Sequence, residues 1–109
     1  MGESYHVLGQ ISPSASTLTT LYTVPASTST TVSSLLVCNT NSTSSTFRIS
    51  IQIGGASDTI TQYLYYDIPI QANDTFAAVL GITLATTDVI MCQAGATNVA
   101  FNVFGVEIS

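Results

Sequence analysis

The sequence predicts an all-β domain: an antiparallel two-sheet sandwich of about eight strands, jelly-roll-like in order. Three observations point there. Apolar and polar side chains alternate with a period of two over most of the chain, and no stretch shows the three-to-four spacing of an amphipathic helix. Turn-forming residues break the pattern at fairly regular intervals. An immunoglobulin-like topology fits the same strand count nearly as well.

Residues 1–4 read as a flexible N-terminal arm and 5–109 as a single β-sandwich domain. The first strand is Tyr5–Ile11, stopped by Pro13 and Ser14. The second is Thr19–Val24, stopped by Pro25-Ala26-Ser27. The third, Thr31–Asn39, runs into a polar tract that lasts to Ser45. The fourth has the cleanest alternation: Phe47, Ile49, Ile51 and Ile53 share a dry face, while Arg48, Ser50 and Gln52 share a wet one. Gly54-Gly55 closes it. The fifth, Gln62–Ile70, places Leu64, Tyr66 and Ile68 on one face and Tyr63, Tyr65 and Asp67 on the other. Ala72-Asn73-Asp74 leads to the sixth, Thr75–Leu84, and Thr86-Thr87-Asp88 to the seventh, Val89–Ala94. The eighth, Val99–Ile108, changes phase, since Val99, Phe101 and Val103 share one face but Phe104, Val106 and Ile108 share the other. A bulge near Phe104 or Gly105, or a change of partner there, accounts for the slip.

Charge is scarce. Charged residues are 6% of the chain, Lys is absent, Arg48 is the one strong base, and the net charge is −5. A single Arg cannot neutralise a row of phosphates, so no nucleic-acid partner is expected, and no anionic membrane surface either. Apolar runs are too short for a spanning helix, and MGESYHVLGQ has neither the basic nor the apolar region of a secretory signal. A soluble chain made in a cytoplasm is expected. Ser and Thr supply water contacts in place of charge. An uncharged surface suits contact with other protein, because charge is depleted at the centres of interfaces.

Few residues are equipped for chemistry. His6 is the only histidine; it makes a base for a Ser-His-Asp set with Asp67, Asp74 or Asp88, or an ordinary side chain on the first strand. No G-x-S-x-G elbow accompanies it, so the second reading is preferred and no enzyme is expected. Asp74 and Asp88 stand in turns, where Asp caps backbone N–H groups, and no calcium-loop spacing surrounds them. Cys38 and Cys92 have no zinc or redox spacing and are expected as buried free thiols, with a bridge as the alternative should their strands face each other. No metal or cofactor is expected. Tyr63 and Tyr65, if the opposite face of their strand is core, point outward as a pair suited to protein contact or to stacking on a sugar ring. Arg48 must meet an acid of its own chain or of a neighbour, and the neighbour is favoured. Tyr63, Tyr65, Arg48, Tyr5 and His6 are thus the candidate interface residues.

The phrases YHVLGQISPSASTLTTLYTVPAS, LYYDIPIQANDTF, LGITLATTDVI and the closing NVFGVEIS resemble small virion proteins of tailed bacteriophages, of the capsid decoration (cement) or head- or tail-fibre type. Gln71 departs from the pattern, which leads one to expect proline there. The resemblance implies a β-sandwich assembled as a homotrimer, made in the host cytoplasm and placed on the capsid exterior. There it binds the major capsid protein and stabilises the shell. It implies no catalytic residue. The alternative is a receptor- or glycan-binding module of a fibre or capsid exterior, using Tyr63 and Tyr65 as a platform.

Overall fold

The computed structural model describes residues 2–109. The two-residue period becomes eight strands: β1 (Glu3–Ile11), β2 (Thr19–Thr23), β3 (Ser29–Asn39), β4 (Ser45–Gln52), β5 (Tyr63–Ile70), β6 (Thr75–Leu84), β7 (Val89–Ala94) and β8 (Val99–Ile108). Two single 3-10 turns, Ile53–Gly55 and Ile60–Gln62, lie in the β4–β5 connection. No helix among the described residues is long and apolar enough to cross a membrane.

Sheet 1 has the order β1-β8-β3-β6 and sheet 2 the order β2-β7-β4-β5, with every pair antiparallel. The pairs β1:β8, β2:β7, β3:β6 and β4:β5 are rungs of one long hairpin whose tip is the β4–β5 connection. Successive rungs alternate between the sheets as the ribbon wraps, which is the jelly-roll path. The immunoglobulin-like alternative is excluded, because it pairs strands adjacent in sequence near its start, and here β1 pairs only with β8.

The inward residues of both layers meet in one core. Phe47, Phe101, Leu35, Ile49, Ile90 and Val32 are all at most 1% exposed. Each such side chain contributes about 1.5–3 kcal/mol by leaving water. The rings of Phe47 and Phe101 meet edge-on across the layers at 6.4 Å, and Phe47 also packs tilted against Tyr65 at 6.2 Å and Phe76 at 5.1 Å.

Alternation fails where strands bulge. In β8 the inward set Val99, Phe101 and Val103 continues in step to Gly105 and Glu107, so the strand does not slip as expected. The extra residues sit on its partners instead: Leu8 in β1 and Ser33 in β3. Phe104, Val106 and Ile108 therefore face away from the core, beside Val7, Tyr5 and Glu3 of β1. In β5 two irregularities intervene, and Asp67 adopts φ 51°. Ile53, expected on the dry face of β4, is 75% exposed, because the strand ends at Gln52 and the chain turns.

The chain start also differs from expectation. Gly2 and Ser109 exchange two backbone hydrogen bonds, at 2.9 and 3.0 Å, and Glu3 and Ser4 pair with Ile108 and Glu107. Glu3 and Ser4 thus belong to β1 and Gly2 is tied to Ser109, rather than forming a loose arm; Met1, also assigned to that arm, lies outside the described residues.

Buried polar side chains hold the loops. Asn39, fully buried, donates from Nδ2 to the carbonyls of Thr43, Ile70 and Gln71 and accepts from the Asn41 N–H. Asp88 accepts from the N–H groups of Ala85 and Gly54, and Asp74 from that of Thr75, so both carboxylates serve their turns.

Candidate functional site

Three places gather the residues that carry chemistry or adhesion. The first is the outer face of sheet 1. Tyr5, Val7, Phe104, Val106 and Ile108 lie side by side across β1 and β8, with Val79 farther over on β6. Tyr5 is 76% exposed and Val79 is 90% exposed. Between them β3 offers Thr31, Ser34, Leu36 and Cys38, and Gln10 and Asn102 add amides on β1 and β8, so the face mixes apolar, hydroxyl and amide groups, with Glu3 as its one charge among the described residues. Nothing in the described chain covers it. An uncovered apolar sheet face this broad is uncommon on a monomer.

The second is the outer face of sheet 2. The Arg48 guanidinium meets Asp67 with two hydrogen bonds, Nε to Oδ1 at 2.6 Å and Nη2 to Oδ2 at 3.1 Å. It also lies 4.1 Å from the centre of the Tyr66 ring. Arg48 thus finds its acid within the chain, against the expectation of a neighbour's. The left-handed backbone of Asp67, which Asp tolerates better than most residues, turns its carboxylate back toward β4. The pairing holds Asp67 below the usual carboxylate range, and it strengthens the hold of Arg48 on its proton. Tyr63 stands edge-on to Tyr66 at 5.0 Å and donates to Asp58 at 3.0 Å; desolvation first, and that bond second, raise its pKa.

The outward pair is therefore Tyr63 and Tyr66, and Tyr65 is corrected to the core side. The β5 irregularities let Ile49 face Tyr65 while Ser50 faces Tyr63. Tyr65 packs against the core, its ring 5.3 Å from Phe76. Leu64 and Tyr66, expected inside, are 44% and 51% exposed. Simple alternation has no means of locating two irregularities in eight residues; the adjacent Tyr65-Tyr66 pair followed by Asp67 is the one hint that the wet face gains a residue.

Beside the ion pair a shallow pocket of about 200 Å³ opens between the β4–β5 and β7 surfaces. Its walls include Ser16, Thr46, Arg48, Asp67, Gln93 and Gly95. A Cβ on Gly95 would stand 3.0 Å from Thr46 Oγ1, so glycine keeps that wall back. Ser16, Thr46 and Gln93 were not singled out by the sequence, because they come from three distant segments.

The third place is the rim around His6. Its Nε2 is 3.4 Å from Glu107 Oε1 and its Nδ1 is 3.0 Å from Ser4 Oγ. Glu107 also accepts a 2.5 Å hydrogen bond from Tyr22, whose hydroxyl touches buried Thr30 at 2.7 Å. Burial, then the bond to Glu107, pushes the Tyr22 hydroxyl up to about 12. The acid beside His6 is thus Glu107, not Asp67, Asp74 or Asp88. Ser4 and His6 sit two apart on one extended strand, so the rim offers no strained nucleophile elbow.

Cys92 is fully buried, and burial pushes its thiol up to about 12. Cys38, expected buried, is only partly so. It lies on the outward side of β3, on the other sheet, and both cysteines are free. Among the described residues no group of three or more His, Cys, Asp or Glu is placed to hold a metal.

Comparison with protein-family models gives no match, and comparison with curated protein sequences gives none either. Among solved structures, a chain from the "Structure of infectious bursal disease virus Gx strain" is similar at 15% identity with a TM-score of 0.49. The likeness covers 97% of this chain and 32% of the viral one, so this chain spans about a third of that chain's length.

Proposed function

We propose that the chain is a structural virion protein of the capsid decoration, or cement, type. It binds the outer surface of a bacteriophage capsid through the outer face of sheet 1 and stabilises the shell as a homotrimer. The observation that carries this reading is that face itself: a surface of apolar, hydroxyl and amide side chains with one charge at its edge, left bare by the described chain. The molecule measures 45 × 27 × 19 Å, so its broad side offers on the order of 1,000 Å², above the roughly 800 Å² per partner of a standard interface. The sequence resemblance supplies the occupant, the major capsid protein. Exposed Ile53 and Ile60 make a separate adhesive tip at the β4–β5 connection, suited to meeting the same tip of neighbouring copies about a three-fold axis.

Stabilisation follows from mass action: a protein that binds only the assembled shell shifts the equilibrium away from rupture. Weak contacts repeated by symmetry add through effective concentration. The test strips the protein from particles, adds back wild type or Val79→Asp, and measures rupture on heating. Wild type should restore the rupture temperature and Val79→Asp should not, although its own melting is unchanged. Equal rupture with and without wild type defeats the cement role. Light scattering checks assembly, and a strict monomer at high concentration defeats the trimer.

A further inference from the structure

The pocket beside Arg48 is not needed for attachment through sheet 1, since it opens on the other layer of the sandwich. We propose that it is a binding site for one neutral sugar residue, a hexose or N-acetylhexosamine, presented away from the shell.

Its chemistry selects the ligand. Arg48 and Asp67 neutralise each other, so neither an anion nor a cation meets a net opposite charge: an anion faces the Asp67 carboxylate, a cation the guanidinium. The overall charge of −5 further disfavours anionic sugars. What remains is a surface of mixed donors and acceptors. Two of the five guanidinium N–H groups are used by Asp67, which leaves others to donate, while the carboxylate keeps lone pairs to accept. Adjacent hydroxyls of a pyranose match this arrangement, one accepting from Arg48 and its neighbour donating to Asp67. The Gln93 amide, Thr46 Oγ1 and Ser16 Oγ have no side-chain hydrogen-bond partner among the described residues and stand on the same walls. The Tyr66 ring, 4.1 Å from the guanidinium, helps hold Arg48 in place at the pocket wall.

The site is also held in strained backbone. Ser16 (φ 55°) and Asp67 (φ 51°) are both left-handed non-glycine residues, and both line this one pocket. Such conformations are costly for a residue with a side chain and persist where the surroundings enforce them. A pocket of about 200 Å³ lies below the roughly 300 Å³ at which drug-sized ligand sites begin, which limits the occupant to a single ring.

The experiment titrates isotope-labelled full-length protein with methyl glycosides of neutral hexoses, N-acetylhexosamines and sialic acid, following backbone amide shifts. Expected are shifts from at least one neutral sugar, centred on Ser16, Thr46, Arg48, Asp67 and Gln93, with a millimolar Kd. Gln93→Ala should weaken that sugar about fivefold to tenfold, the value of a single neutral hydrogen bond, with an unchanged melting temperature. No shifts with any neutral sugar, shifts centred elsewhere, equal binding by Gln93→Ala, or preference for sialic acid each overturn the proposal. A failed sugar titration leaves shell attachment untouched, since that is read on particles and through Val79.

Discussion

At Asn39 one amide nitrogen faces three carbonyl oxygens, a geometry that only a donor satisfies. Asn39→Ala leaves those carbonyls and the Asn41 N–H without their partner and should cost about 1–3 kcal/mol. Asn39→Asp, nearly identical in shape, should cost more, because it sets a second oxygen against the same carbonyls; urea unfolding that ranks Asp above Ala in stability would refute this. A different residue effect appears in alkali. The thiol of Cys92 and the hydroxyl of Tyr22 both rise to about 12 in the fold, from ordinary values of 9.0 and 10.0. A raised pKa means that the folded state keeps its protons after the unfolded chain has begun to lose them. Their contribution is therefore complete below about pH 9 and falls as pH climbs toward 12. Melting temperature followed by circular dichroism should be flat up to about pH 9 and then decline. Cys92→Val, close in volume, should make the decline shallower; an identical slope would remove Cys92 as its cause. The role of Asn39 was not legible in sequence, where it ended a strand and opened a polar tract, whereas the burial of Cys92 as a free thiol was expected from its apolar strand.

Among the elements, β6, β7 and β8 begin and end where alternation placed them, and the other strands differ by no more than two residues at either end. Alternation works because each sheet has one face in a shared core, so a hydrophobic period of two is enforced on every strand. It misleads at β5, where two irregularities change the phase without leaving a composition signal, whereas in β8 it places both faces correctly and only the expected bulge is misplaced. For β8 the extra residues are Leu8 and Ser33, on other strands. For β5 the consequence reaches the candidate site directly, exchanging Tyr65 for Tyr66 on the outer face. Gly105 marks the crossing of these irregular strands. A Cβ there would drive into the Thr31 carbonyl of β3 and stand 3.1 Å from Leu8 Cδ1, both beside a bulge. Gly105→Ala must push β3 and β8 apart where backbone, not a flexible side chain, is in the way, and should cost about 3 kcal/mol. Gly81→Ala makes a useful contrast: its φ of 65° is strained for alanine, but open space surrounds it. It should lose only about 1 kcal/mol, the cost of a left-handed residue. Denaturant midpoints that reverse this order would show that backbone conformation, not strand contact, governs the glycines.

For the whole molecule, every hydrogen-bonded strand pair joins one of β1–β4 to one of β5–β8. No two strands of the first half touch in either sheet, and none of the second half do. Each half is a set of amphipathic strands with no partner of its own, and isolated strands do not persist in water. No strand pair can close until a strand of the second half reaches one of the first, so nearly all the stabilising contacts wait on pairings distant in sequence. Such folds form slowly. The same arrangement makes the tip of the ribbon dispensable as a covalent link. Residues 56–61 are exposed throughout and hold no strand pair. Residues 1–56 and 57–109, produced separately, should each give the circular dichroism of an unfolded chain. Mixed at equal concentration, they should recover the strand signal and elute as one species, with a melting temperature that rises with concentration because the fold has become bimolecular. A structured first half would contradict the pairing scheme at its root, since it would require neighbours such as β1 and β2 or β3 and β4 to hold together unaided. The recovered complex bears on function as well: with Ile53 in one fragment and Ile60 in the other, it tests the trimer contact separately from the fold. Failure to trimerise, with sheet 1 intact and shell binding kept, would place self-association at the severed tip.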